Sequence, residues 1–424
     1  MTRPARKGDV AKQVELTPIH DFASKLLQPE LLPRLKEYVL WSSKAREAER
    51  KGESRGDATP LPDRAPVSIN LDLTTACNYA CDHCVDMDIL NTGIRYDHER
   101  LKASLVQLAA RGLRSVILIG GGEPTVYPRF AEIVHLLKDR NVQVSIVSNG
   151  SGNEKILEVA DRFDELDWVR LSLDSGTDET FQAMHKPRKP ITLDRICEGI
   201  PPIKAKNPKF PVGFSYIVVW KDAHINDATI VENIHEIPIA AERAKKYGFD
   251  YIAIKPFLVR AAENNAEIVD LDDRRSDFPE IAERIRRAVR EAKAFEDAKF
   301  RVYETTNLKV LYNGTYRDYQ DQPKRCHMQF FRQVVSPLGL YNCPVYRNVE
   351  HARIGDKHGY GDPDATKQAL SGTRDLIRTF DASRECKEVT CLYNHVNWFI
   401  EDLIESPEKL RSLQPSEDRR DYFL

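Results

Sequence analysis

The stretch VSINLDLTTACNYACDHC, residues 67–84, runs from an apolar, strand-like segment directly into three cysteines spaced C-x3-C-x2-C. A 4Fe–4S cluster normally takes four thiolates. Cys77, Cys81 and Cys84 would leave one iron without a protein ligand, and an open metal position is where a small molecule binds and reacts. A zinc site or three buried structural thiols are the plain alternatives. Zinc ribbons use C-x2-C pairs with a matching second half. No such half follows here, although His83 is a zinc-type donor.

Outward from this stretch the chain alternates. Strand-like runs fall at Val67–Leu73, Ser115–Ile119, Val142–Val147, Trp168–Leu173, Val212–Val219 and Tyr251–Ile254. Helix-like runs lie between them, at 98–111, 128–140, 153–163, 192–205 and 226–247. This alternation implies βαβ units around a parallel sheet, with the active site at the carboxyl ends of the strands. The cysteine triad follows the first strand. Gly120-Gly121-Gly122-Glu123-Pro124 follows the second, Ser148-Asn149-Gly150 the third, and Ser172 and Asp174 share one face at the end of the fourth. Glycines let backbone approach a ligand, and a carboxylate accepts hydrogen bonds from an ammonium group. The same residues also serve as ordinary turns and helix caps. Arg188, in His185-Lys186-Pro187-Arg188, is a candidate grip for a carboxylate. Lys255 ends the sixth strand on the face of Tyr251 and Ala253, with Ile252 and Ile254 facing the helices. A solvated charge is the bland alternative for both cations.

The cysteine spacing, with the His83 ring before the last cysteine, resembles the signature of the radical S-adenosylmethionine (SAM) enzymes. The resemblance implies a partial (β/α)6 TIM-like barrel of the α/β class. It implies that a SAM-chelating 4Fe–4S cluster sits on Cys77, Cys81 and Cys84, beside a GGE motif formed by Gly121, Gly122 and Glu123. It places His83, Ser148, Asn149, Ser172, Asp174 and Arg188 around SAM, and Lys255 at the barrel mouth. In that family an electron from the cluster cleaves SAM to a 5′-deoxyadenosyl radical, which takes hydrogen from substrate.

Cys326, Cys343, Cys386 and Cys391 form a second set, in a segment of little periodicity. Four thiolates can close a further 4Fe–4S cluster or a tetrahedral zinc site. Cys343 follows a hairpin-like stretch with its turn at Leu338-Gly339. The arrangement resembles the SPASM/twitch extensions of radical SAM enzymes, most of all the single-cluster twitch type of aminocyclitol dehydrogenation. It departs from that type in its final C-x4-C pair. The architectural resemblance covers residues 67–395. Cys197, on an amphipathic helical run, is left over as a core thiol.

The expected organisation is an N-terminal helical segment and linker (1–66), the barrel core (67–300), a small metal-stapled C-terminal extension (301–400) and a tail (401–424). Residues 16–50 read as helical through Leu26, Leu27, Leu31, Leu32, Leu35, Tyr38 and Val39, 51–66 as an exposed linker, 278–297 as an amphipathic helix, and 405–424 as a charged, loosely docked segment. Lys+Arg 63 against Asp+Glu 65 leaves no global field for nucleic acid or membrane. No run is long enough to span a bilayer, and the polar start lacks a signal-peptide core. A cytoplasmic location follows, in which eight cysteines are ligands or core thiols rather than disulfides.

The expected reaction is hydrogen abstraction from a C–H bond of a small polar metabolite, a sugar or aminocyclitol, leading to dehydrogenation. A reductant such as flavodoxin or ferredoxin would supply electrons. Sugar epimerisation and ribosomal-peptide maturation are the alternatives. Many peptide maturases carry a β-rich peptide-binding domain of about eighty residues, whereas the segment ahead of the barrel is shorter and reads as helical.

Overall fold

The computed structural model describes residues 20–52, 60–225, 228–260, 267–268 and 276–424. Residues 16–19 of the expected first helical segment and 53–59 of the expected 51–66 linker lie outside them. A single ten-stranded sheet organises the chain. Its strands are β1 (Ser68–Leu71), β2 (Ser115–Leu118), β3 (Gln143–Ser148), β4 (Trp168–Ser172), β5 (Val212–Val218), β6 (Tyr251–Pro256), β7 (Arg301–Glu304), β8 (Arg332–Ser336), β9 (Gly339–Tyr341) and β10 (Arg353–Gly355). Their order across the sheet is β7-β6-β5-β4-β3-β2-β1-β8-β9-β10. The run from β7 to β8 is parallel throughout, and β8, β9 and β10 are antiparallel. The sheet is the open, TIM-like partial barrel of the α/β class that the alternation predicts.

The six predicted strands are present to within two residues at each end. The sheet gains two further parallel strands. β7 is short and has Arg301 and Tyr303 exposed, so it carries little apolar signal. β8 pairs Ser68 with Arg332 and Leu71 with Val335, and so comes from the segment that reads as a separate extension. β1 is buried along its whole length. A buried strand left at a sheet edge would hold unpaired backbone groups, and β8 supplies their partners.

Helices over His98–Ala110, Phe130–Lys138, Asn153–Val159, Leu193–Cys197, Ile200–Lys206 and Phe278–Lys293 follow the predicted runs. The run 226–247 is helical only from Ile237 to Lys246, because a two-residue hairpin (His224–Ile225 with Ala228–Thr229) and a 3-10 turn occupy its start. The helix Asp178–His185 was not foreseen. Residues 22–50 form two helices, Phe22–Leu26 and Leu32–Arg50, split around Pro29. The second packs on Asn394–Glu405 in a satellite core with Tyr38, Phe330 and Ile400.

The expectation of a loosely docked tail is corrected. Tyr422, Phe423 and Leu424 are buried. Ser115 Oγ donates to Tyr422 O at 2.7 Å, Lys25 Nζ to Phe423 O at 2.6 Å, and the Phe423 ring meets Trp168 edge-on at 5.5 Å. Three consecutive apolar residues outweigh the charged run before them. Among the described residues no helix is long and apolar enough to cross a membrane.

Candidate active site

The cysteine loop leaves the carboxyl end of β1 and is clamped by backbone. Asp72 N donates to Val335 O (2.9 Å), Glu123 N to Ala76 O (2.9 Å), Ala80 N to His185 O (3.2 Å) and Arg188 N to Asn78 O (3.0 Å). Cys77 N is taken by the Asn91 side chain at 3.1 Å. The GGE turn lies directly on the loop: a Cβ on Gly122 would fall 2.1 Å from Ala76 O, and one on Gly121, at φ +67, 2.8 Å from Thr74 O. Only glycine permits that approach.

Burial pushes all three thiols up, Cys84 to about 12, and Cys77 and Cys84 each add to the rise at Cys81. The three sulfurs therefore sit within electrostatic reach of one another. Among the described residues, the one group of three metal-type donors mutually within 4.8 Å is Cys81, His83 and His185. His185 Nδ1 is 3.3 Å from Cys81 Sγ, while its Nε2 faces Leu173 O at 3.0 Å.

Asp174 lies beneath the loop at φ +50, almost wholly buried. One carboxylate oxygen accepts from Ile217 N (2.8 Å); the other is 3.3 Å from His83 Nε2 and 3.4 Å from His185 Nε2. Burial alone would raise this carboxyl, but the His83 bond and the charges of His185, His83 and Lys255 outweigh it and hold it below its ordinary value. Glu123 is buried too. Its carboxylate accepts from Thr125 N (3.0 Å), Thr125 Oγ1 (2.6 Å), Ser148 Oγ (2.8 Å) and Asn149 N (2.7 Å), tying the GGE turn to the end of β3. Burial still raises it. Asn149 Nδ2 continues to Asn78 in the cysteine loop at 2.9 Å. Ser172 ends β4 half-buried, and Arg188 is exposed but close enough to lower the Cys77 thiol. Lys255 ends β6 half-buried.

A second network ties this loop to the C-terminal segment. Arg347 Nε lies 2.7 Å from Asp72 Oδ2, and Arg347 Nη1 2.7 Å from Asp86 Oδ1. Asp86 Oδ2 in turn accepts from Gly121 N at 3.1 Å. Burial lifts Asp72 to about 7 against the pull of Arg347. Four residues before Arg347 stands Cys343, and the structure brings it together with Cys326, Cys386 and Cys391. Burial is the main cause of the raised thiols at Cys386 and Cys391, and their fellow cysteines add to it. Asn397 Nδ2 is 3.8 Å from Cys326 Sγ, and Tyr346 Oη 3.9 Å from Cys386 Sγ. The predicted hairpin is present between β8 and β9, with its turn one residue earlier, at Pro337-Leu338, because Gly339 already pairs with Ser336.

Beside the second cysteine set, against the sheet, lies a cavity of about 590 Å³. Trp168 and Arg170 of β4, Tyr251 of β6, Arg332 of β8, and Cys343 and Cys391 line it. His20 and Lys25 cover it from the N-terminal side, and Asp421, Phe423 and Leu424 from the C-terminal side.

Sequence reasoning missed His185, Asp72, Asp86, Arg347, Arg170 and Arg332. Two of these carried a signal. Arg170 has the inward parity of Ser172 and Asp174, and His185 heads the HKPR segment. The others depend on pairings across more than two hundred residues.

Residues 71–232 match the family model of the radical SAM superfamily. A nucleotide dehydratase dependent on S-adenosylmethionine, from Selenomonas ruminantium, is 27% identical over 38% of this chain and 60% of its own length. The mycofactocin maturase MftC of Mycobacterium ulcerans is 35% identical over 43% of this chain and 46% of its own. The chain thus spans about half the length of these relatives. The solved structure of Streptococcus suis SuiB bound to S-adenosylmethionine aligns with a TM-score of 0.54 at 13% identity, covering 74% of this chain and 68% of that one; it shares the fold. With the three-cysteine loop seated on its GGE turn and this match running from the end of β1 through β5, residues 71–232 are a radical SAM domain.

Proposed function

We propose that this chain reductively cleaves S-adenosylmethionine and uses the resulting radical to oxidise a small polar metabolite, with Cys77, Cys81 and Cys84 holding one 4Fe–4S cluster and Cys326, Cys343, Cys386 and Cys391 a second. The carrying observation is the three-thiol loop docked on the GGE turn at the carboxyl ends of β1 and β2. The donor sets fit. All seven cysteines are free thiols. Around one zinc at about 2.3 Å, four sulfurs would crowd to about 3.8 Å from each other; no three of the second set lie mutually within 4.8 Å. That spread suits thiolates carried on different irons. When bound, the clusters and SAM supply the 5′-deoxyadenosyl radical and a path for the electron that substrate oxidation releases.

The chain's own residues do the rest. Gly121 and Gly122 bring backbone close to the ligand, with Glu123, Ser148 and Asn149 forming the wall beside it. His83 is steadied by Asp174, and Ser172 and Arg188 complete the SAM-facing rim. Lys255, in its neutral form, takes the hydroxyl proton as a substrate alcohol becomes a ketone. A cavity of about 590 Å³ supports a small molecule over a long peptide, and one relative's name, nucleotide dehydratase, points the same way. The maturase relative keeps peptide modification as the second reading. A flavodoxin or ferredoxin in the cytoplasm is the proposed reductant.

The test is anaerobic addition of SAM and dithionite to the reconstituted chain. 5′-Deoxyadenosine is expected from the wild type and none from the Cys77→Ala/Cys81→Ala/Cys84→Ala variant. Equal release from both sinks the proposal. Once the substrate is known, solvent deuterium at an inverted carbon with no change in oxidation level would replace dehydrogenation by epimerisation.

A further inference from the structure

Arg170 projects from the middle of β4 into the cavity, and its guanidinium lies 5.3 Å over the Trp168 ring. Its Nε is buried without a hydrogen-bond partner. Arg332, on β8, is held by neutral acceptors: Nη1 donates to Tyr393 Oη and Nη2 to Asn70 Oδ1 at 2.6 Å, while its own buried Nε also has none. No carboxylate pairs with either guanidinium among the described residues; the one carboxylate whose charge acts on Arg170 is that of Asp174. The acids that line the cavity are engaged elsewhere or at its rim. Asp167 is locked to Lys138 at 2.5 Å, Asp421 to Lys25 at 2.9 Å, and Glu165 is exposed. His20, whose Nδ1 meets Thr306 Oγ1 at 3.0 Å, marks the charge of this space. Burial, then Lys25, Arg170, Lys255 and Arg332 acting together, lowers its imidazole to about 3.

A buried guanidinium with no counter-charge is costly. Its planar fork matches the oxygens of a carboxylate or phosphate. We propose that the cavity recognises its substrate through an anionic group, a phosphate or a carboxylate, gripped by Arg170 and Arg332. The proposal rests on the reading that this cavity is where the substrate lies, and it turns the substrate class from an aminocyclitol, whose ammonium these cations would repel, to an acidic metabolite.

The experiment is thermal unfolding of the cluster-loaded full chain in pyrophosphate, in citrate, and in sodium chloride at matched ionic strength. Binding to the folded state alone raises the midpoint. The wild type should gain about 2 °C or more over the chloride control in at least one of the two anions. The gain should vanish in Arg170→Met, a change that breaks no hydrogen bond of the described structure, and shrink in Arg332→Lys. A gain in pyrophosphate alone assigns a phosphoryl group, and a gain in citrate alone a carboxylate. No gain over chloride, or an equal gain in wild type and Arg170→Met, overturns the proposal. SAM cleavage by the wild type is scored separately: a chain that cleaves SAM without any anion response keeps its function and loses this site, and the reverse result does the opposite.

Discussion

A Cβ added at Gly122 would meet Ala76 O at 2.1 Å and Ala76 N at 2.8 Å, and both atoms belong to backbone that cannot swing away. Gly122→Ala must therefore push the GGE turn off the cysteine loop. A displacement of about 1 Å at a reacting centre costs about 100-fold in rate, so 5′-deoxyadenosine release should fall by that order while the far-ultraviolet circular dichroism stays unchanged; a rate within twofold of wild type would show that the contact does not position the loop. The residues of this site were legible in unequal measure. Cysteine spacing and Gly-Gly-Gly-Glu are local signals, because a loop and a turn are built from neighbours in sequence. Glu123 and Asp174 were found but not their bonds: both carboxylates are engaged inside the protein, with Thr125, Ser148 and Asn149, and with Ile217 and His83. Arg347 was invisible, since its partners Asp72 and Asp86 stand more than 260 residues earlier in the chain.

At the level of elements, period-two and helical patterns located the six central strands because each is apolar on a buried face. They failed at β7 and β8, where Arg301 and Glu304, and Arg332 and Gln333, interrupt the apolar run, and at Asp178–His185, where one helical turn of apolar residues is too little to see. The helices Leu32–Arg50 and Asn394–Glu405 meet through an ion-pair network no pattern announces. Arg46 Nη1 and Nη2 reach Glu401 at 2.8 and 2.5 Å, and His327 Nε2 reaches it at 2.8 Å. Burial alone would raise the Glu401 carboxyl, but the bonds from Arg46 and His327 outweigh it and hold it well below its ordinary value of 4.5. A carboxyl depressed in the folded state adds stability above its unfolded value and loses it as pH falls through the folded one. Glu401→Gln should thus cost about 3–5 kcal/mol near pH 7, the range for breaking a buried pair. The gap between variant and wild type should narrow as pH drops below about 4.5. Chemical denaturation at pH 7 and pH 4 reads both; a gap that stays constant would assign the cost to packing.

For the whole molecule, segments around residues 20–25 and 421–424 converge on the sheet and wall the cavity. Phe423 covers it against Trp168. Phe423→Ala should lower stability by about 3–5 kcal/mol, the range for a buried phenylalanine, as a fall in the unfolding midpoint; a fall no larger than that of an exposed Tyr303→Ala control would mean the ring adds no closure. The two cysteine sets are a second whole-molecule matter. Replacing Cys326, Cys343, Cys386 and Cys391 together should halve the iron per chain, as two clusters of one kind require; stoichiometric zinc in wild-type protein purified without oxygen would instead make the set structural. The pairing of Ser68 with Arg332 also sets a clock for biosynthesis. At roughly 5–20 residues per second, a ribosome needs on the order of 15–50 seconds after finishing β1 to deliver the strand that flanks it. Throughout that interval β1 stands at an open sheet edge, exposed to stray strand pairing, so the yield of folded chain should fall when synthesis between residues 71 and 332 is slowed; an unchanged yield would mean that the waiting edge is protected.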